Sequence, residues 1–288
     1  MGTSSSSQGP KRSPNLLPPW GQDSPAPNPP PNDGAPPQDG NPQPNGENPN
    51  NPPSGTPNNG SGLRPTSWGV PKGAMTRFAR GSGSLGSIGR SYVRAGGGAT
   101  ARASSAQAGR QTAGRFGGFI ASGVRNGFVQ AARDIGLTNL VGRDVQFVLA
   151  AFVDLIAPSG ATIEEAIARK ALADTTWEVF QKYGVDVEGI TALDRLGRDD
   201  VTSIISLYIS NYVNERLQEE LFFRLEKGTI DETTANRYAD QIKGFITEVV
   251  RLDFQSIDPL RIDWQGNAGK EIIEQKYQEA YALLGEAE

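Results

Sequence analysis

The sequence predicts an all-α protein in which a C-terminal, bundle-like helical domain follows a long Pro/Asn/Gly-rich tail and a basic Gly/Arg-rich segment. Three observations carry this reading. Of 21 prolines, 19 fall between Pro10 and Pro71, and almost no aliphatic residue lies between Leu17 and Leu63. From Val124 onward apolar residues recur at three- and four-residue steps, the period of a helix face. No stretch alternates with period two for long enough to form a strand. The expected divisions are a disordered tail and tether over 1–63, a partner-binding segment over 64–123 and an all-helical domain over 124–288.

The tail cannot bury enough apolar area to offset the entropy of ordering it, so a partly polyproline-like tether is expected. Over 64–133 the composition changes sharply. Eleven arginines and lysines stand there without one acid, whereas residues 134–288 carry 15 basic and 28 acidic residues. Each glycine in this segment weakens a helix by about 1 kcal/mol relative to alanine. Marginal order is therefore expected, with short helices over 75–80 and 100–112 when docked on a partner.

The helical domain opens with Val145, Val148, Leu149, Phe152 and Ile156 on one face, closed by Pro158. Thr162 with Glu165 forms a capping-box signature for a helix carrying Ile163, Ile167, Leu172, Trp177 and Phe180, which Gly184 ends. Asp199 or Asp200 caps the longest element. There Val201, Ile204, Ile205, Tyr208, Ile209, Tyr212, Leu217, Leu221 and Leu225 form one stripe, and a helix over 201–227 spans about 40 Å before Gly228. Asp231 starts another helix with Tyr238, Ile242, Phe245, Ile246 and Val249. A last one runs through Ile272, Ile273, Tyr277, Ala280 and Leu284. Five or six helices are expected here, and Gly123, Gly127 and Ala131 are spaced for close helix contact.

Composition excludes several chemistries. There is no cysteine and no histidine, which removes disulfides, thiolate or imidazole metal sites and histidine-based catalytic triads. The longest charge-free run of the folding part is the 14 residues 201–214, short of the ~20 apolar residues a bilayer needs. Neither a membrane nor a secretory signal is expected, so the default location is cytoplasmic. Paired acids such as Asp199 with Asp200 and Glu219 with Glu220 point about 100° apart on a helix, and read as a cap and a solvated face. The run GSGSLGSIG lacks the strand and the Gly-Lys-Ser/Thr ending of a phosphate loop. A non-enzyme without cofactor is the expectation.

Two features remain. Arg77, Phe78 and Arg80, with Arg90, Tyr92 and Arg94, interleave guanidinium groups and rings. Such a pattern docks on an acidic protein surface, or on the acidic helices of this same protein, or, as the second choice, binds single-stranded nucleic acid. The start, MGTSSSSQGP, holds nothing that packs. Removal of Met1 leaves Gly2 as an unhindered α-amine with a pKa of about 7.7–8.0.

The MGTSSS start, the LLPPW segment, the proline-rich spacer, TRFARGSG, the GRSYVRAGGGATARASSA block and the helical end together resemble the QatB family of bacterial Qat anti-phage defence systems. The resemblance implies a neighbour set of a QueC-like enzyme, a P-loop ATPase and a TatD-like nuclease. It also implies that the QueC-like partner conjugates a 7-deazaguanine base to the N-terminal glycine. On this sequence the acceptor is Gly2, read together with Thr3 and Ser4.

Overall fold

A computed structural model describes residues 67–138, 144–222, 232–254 and 257–288. Among these residues every regular element is helical, so the fold is all-α. The tail, Leu225, Gly228 and Asp231 lie outside the described residues.

The basic segment forms helices of its own. These are α1 (Gly69–Ala79), α2 (Leu85–Ala95), α3 (Ala99–Ser104), α4 (Gln107–Asn126) and α5 (Phe128–Asp134). Ser84 caps α2 by accepting a hydrogen bond from the Ser87 amide at 3.2 Å. The expected marginal order is corrected by what the glycines touch. A Cβ at Gly89 would lie 2.7 Å from Leu284, at Gly109 2.5 Å from the Tyr212 ring, and at Gly114 2.8 Å from the Trp264 carbonyl oxygen. Glycine is retained where another helix or loop needs the space of a side chain. The packing gained there outweighs the propensity lost. Because α4 runs through position 123 without a break, the helices on either side of it share one core.

Gly127 plays a different part from the one its spacing predicts. It adopts a φ of 86° and separates α4 from α5, so Gly123 meets the Phe128 ring of the following helix rather than a neighbour across a small-residue stripe.

Next come α6 (Val145–Ile156), capped by Asp144, and α7 (Ile163–Tyr183). Both halves of the α7 capping box form: the Glu165 amide donates to Thr162 at 3.2 Å, and the Thr162 amide donates to the Glu165 carboxylate at 3.3 Å. Gly184 closes α7 with a φ of 71°. Ile163 and Trp177 are exposed, unlike the rest of the predicted α7 stripe. A short helix, α8 (Val185–Glu188), and one 3-10 turn lead to α9 (Arg198–Phe222). Asp200 lies in the first turn of α9 and reaches back to the Gly197 amide at 2.8 Å. The described part of the α9 stripe, from Val201 to Leu221, is buried throughout. It packs against α7, α4 and α10 (Glu232–Val249). The last helix, α11 (Asn267–Glu286), returns to α2, α3 and α4, so the C-terminal end of the chain covers the basic segment.

Candidate functional site

The predicted site residues separate into three groups. Gly2, Thr3 and Ser4 lie outside the described residues. Arg77, Arg80 and Arg94 are exposed on α1, its C-cap and α2, and form no ion pair with a described residue. Phe78 is half-buried, its ring edge-on to Tyr238 at 5.2 Å, while the Tyr238 hydroxyl donates to the Ala79 carbonyl at 2.9 Å. Arg90 is spent on the chain itself, donating to the Ala287 carbonyl.

Tyr92 packs inside its own chain. Its side chain is fully buried. The guanidinium carbon of Arg102 sits 3.8 Å from the Tyr92 ring centre and 4.9 Å from that of Trp68, so the cation lies against both rings, which stand edge-on to one another at 71°. Arg102 also donates to both oxygens of Glu220, at 3.1 and 2.7 Å, and to the Tyr92 carbonyl at 3.2 Å. On the far side of Glu220, Arg216 donates to the same carboxylate at 2.9 Å, to the Arg102 carbonyl at 3.2 Å and to Ser105 at 2.9 Å. Two buried cations thus share one carboxylate and tie α3 to α9.

Electrostatics around this triad favour the pairing. Burial pushes the Tyr92 hydroxyl well above the ordinary tyrosine range, with Tyr281 adding to the shift and Arg102 opposing it. Burial also raises Tyr281, again against Arg216 and Arg102. For Arg216 burial works against the charge, yet its neighbours, the Glu220 carboxylate among them, outweigh it and raise its pKa. The buried, un-ionised tyrosines lower the local dielectric, so the ion pairs are stronger there than on a surface.

A second polar centre fixes the start of α4. The Glu164 carboxylate, projected from the first turn of α7, accepts the Ala108 and Gly109 amides at 2.8 and 3.0 Å and the Tyr212 hydroxyl at 2.6 Å. A carboxylate on free amides at a helix start satisfies donors that have no partner within the helix and complements its dipole.

Carboxylates elsewhere are engaged or divergent. Glu219 is exposed while Glu220 turns inward, as adjacent helix positions must. Glu215 pairs with Lys170 at 2.5 Å and Glu178 with Lys243 at 2.7 Å. Burial raises the pKa of Asp174 between them, with Glu215 adding to it and Lys170 and Lys243 pulling it back. Among the described residues no group of three or more acids is arranged to hold a metal ion, and no helix is long and apolar enough to cross a membrane.

Arg102 and Trp68 are the residues that sequence reasoning passed over, and Glu220, read there as part of a solvated face, is instead turned inward onto Arg102. One signal was present: a single arginine in an alanine-rich stretch, ATARASSA, has little other reason to be there.

A family model described as the Qat anti-phage system associated protein QatB matches residues 97–284. The matched stretch starts ahead of α3 and ends within α11, and so holds all three members of the Arg102, Glu220 and Arg216 triad. No curated protein matches the chain, and no solved structure does. With well over half its length matched by that model, the chain belongs to the QatB family of anti-phage system proteins.

Proposed function

We propose that within the anti-phage system to which its family belongs the chain is a non-enzymatic subunit, the substrate and binding partner of a QueC-like enzyme that conjugates a 7-deazaguanine base to Gly2. Thr3 and Ser4 are read beside the acceptor, the P-loop ATPase and the TatD-like nuclease are further partners, and the complex works in the cytoplasm. The observation that carries this reading is the family match, joined to an MGTSSS start whose glycine becomes a reactive amine once Met1 is removed.

The exposed cations Arg77, Arg80 and Arg94 support a docking role for the α1–α2 hairpin. They also favour nucleic acid as a second reading, because guanidinium groups bind phosphates. The rings of the segment argue for protein. Tyr92 is buried and Phe78 is covered by Tyr238, so neither offers a free face for a base to stack on.

Phage plaque assays with Gly2→Glu in the complete system test the proposal. A large second residue retains Met1, so defence is expected to fall to the level of the system lacking this chain, while far-UV circular dichroism stays unchanged. Full defence by Gly2→Glu would remove Gly2 from the mechanism.

A further inference from the structure

The outer face of α4 carries a cleft that the reading above does not use. Arg110, Gly114, Gly118 and Ser122 follow one another at four-residue steps and form a stripe along the helix. The loop bearing Trp264 and Gln265 packs directly against Gly114 and lies close to Gly118, forming one wall of the cleft.

The two ends differ in chemistry. One end has a volume of about 600 Å³ and is lined by Arg110, Arg115 and Lys270. A single carboxylate, Glu274, faces these three cations and is already paired with Arg110 at 2.8 Å. Beyond Arg115 and Gln265, which border both ends, the cleft continues for about 460 Å³ between α4, α5 and α6. Phe119, Ile135, Leu155 and Ile156 line that part, and Leu155 is 45% exposed. The acid at this end, Asp134, accepts a hydrogen bond from Gln130 at 2.7 Å.

We infer that this cleft docks a peptide segment of a partner protein, acidic where it meets Arg115 and Lys270 and apolar where it meets Leu155. Charge complementarity sets the first half: two cations more than the acids present call for carboxylates. The second half is set by exposed Leu155 and half-buried Ile135, which gain from burial by apolar side chains. Asp134 repels an acidic residue at the apolar end, so the peptide has one orientation. From Arg110 to Ser122 the stripe spans about 18 Å, the length of five or six extended residues. The volumes are those of a peptide or ligand cleft. Nucleic acid fits less well. Trp264 and Phe119 are 1% and 6% exposed and give no stacking face, and the aliphatic half offers nothing to a phosphate.

The cleft lies within residues 107–274, inside the stretch shared with the family, and is independent of Gly2 chemistry. The test is to pan the full chain against displayed random peptides about twelve residues long. Binding of the selected peptides is then measured by fluorescence anisotropy. Peptides with two or more Asp or Glu followed by Leu, Ile or Phe are expected. Lys270→Glu and Arg115→Glu are each expected to weaken them by about tenfold, and Lys270→Gln by about threefold. Lys182→Glu, on exposed surface of α7, should bind as wild type. The milder Gln variant keeps the test valid if a charge reversal disturbs folding. Failure to enrich acidic–apolar peptides, or peptides indifferent to Lys270 and Arg115, overturns the inference. So does oligothymidylate binding that these variants abolish while peptide binding persists.

Discussion

Replacing Arg102 with methionine keeps an apolar, polarisable group between Trp68 and Tyr92 while deleting the charge. Glu220 then loses the cation that contacts both its oxygens, at 3.1 and 2.7 Å, and keeps only Arg216 at 2.9 Å. Breaking a buried ion pair by removing one partner costs about 3–5 kcal/mol. Because the Glu220 side chain is 26% exposed and retains one cation, the lower figure applies, about 3 kcal/mol. A folded unit of this size shifts its Tm by about 2–4 °C per kcal/mol, so Arg102→Met should melt about 6–12 °C below wild type. Glu220→Gln should also destabilise, since it leaves two buried cations without their carboxylate. The double variant should cost less than the sum of the single ones by about 1–2 kcal/mol. Urea unfolding followed by circular dichroism and tryptophan fluorescence measures all three. An Arg102→Met protein melting within about 1 °C of wild type, or strictly additive single costs, would refute the argument that this triad ties α3 to α9.

Gly89→Val tests whether α2 is held by close approach to α11. Its Cβ alone would lie 2.7 Å from Leu284, so overpacking should cost about 2–3 kcal/mol, and an unchanged Tm would contradict the contact. Asp174→Asn tests the sign of a pH effect. The folded chain holds the Asp174 proton more tightly than the unfolded chain does, so the native state loses stability as pH rises from the unfolded to the folded pKa, and the penalty persists at neutral pH. The variant should therefore melt above wild type at pH 7, and the gap should close as the pH falls below the ordinary Asp pKa of about 3.9. A deficit at pH 7 would contradict this.

Local signals in the sequence were reliable wherever the cause of structure is local. Pro158, the Thr162 and Glu165 box, and Gly184 act on the turn that contains them, and α6 ends, and α7 begins and ends, where these residues place them. The α9 stripe was legible for a related reason: a helix buried on several sides needs apolar residues at every turn of that face. The basic segment was not legible, because its order comes from distant surfaces. Gly89 is glycine on account of Leu284, and Gly109 on account of Tyr212. Read in a short window, both look like helix breakers. Arg102 likewise is explained by Glu220, 118 residues away. Tyr92 is buried too, and its neighbours Arg102 and Trp68 lie outside any short window around it. Ile163 and Trp177 failed for the opposite reason, since the helical period places them near the α7 face while the neighbouring helices do not reach far enough to cover them.

The central claim, that Gly2 is a modification acceptor, is tested most directly by the intact mass of this chain and the tandem mass spectrum of its N-terminal peptide. The protein is purified from cells carrying the complete system and from cells lacking only the QueC-like gene. The account predicts loss of Met1 in both. It also predicts an added mass equal to the conjugated 7-deazaguanine group, confined to Gly2 and present only with the QueC-like gene. An unmodified Gly2 in the presence of the complete system, or the same mass in both preparations, would contradict it.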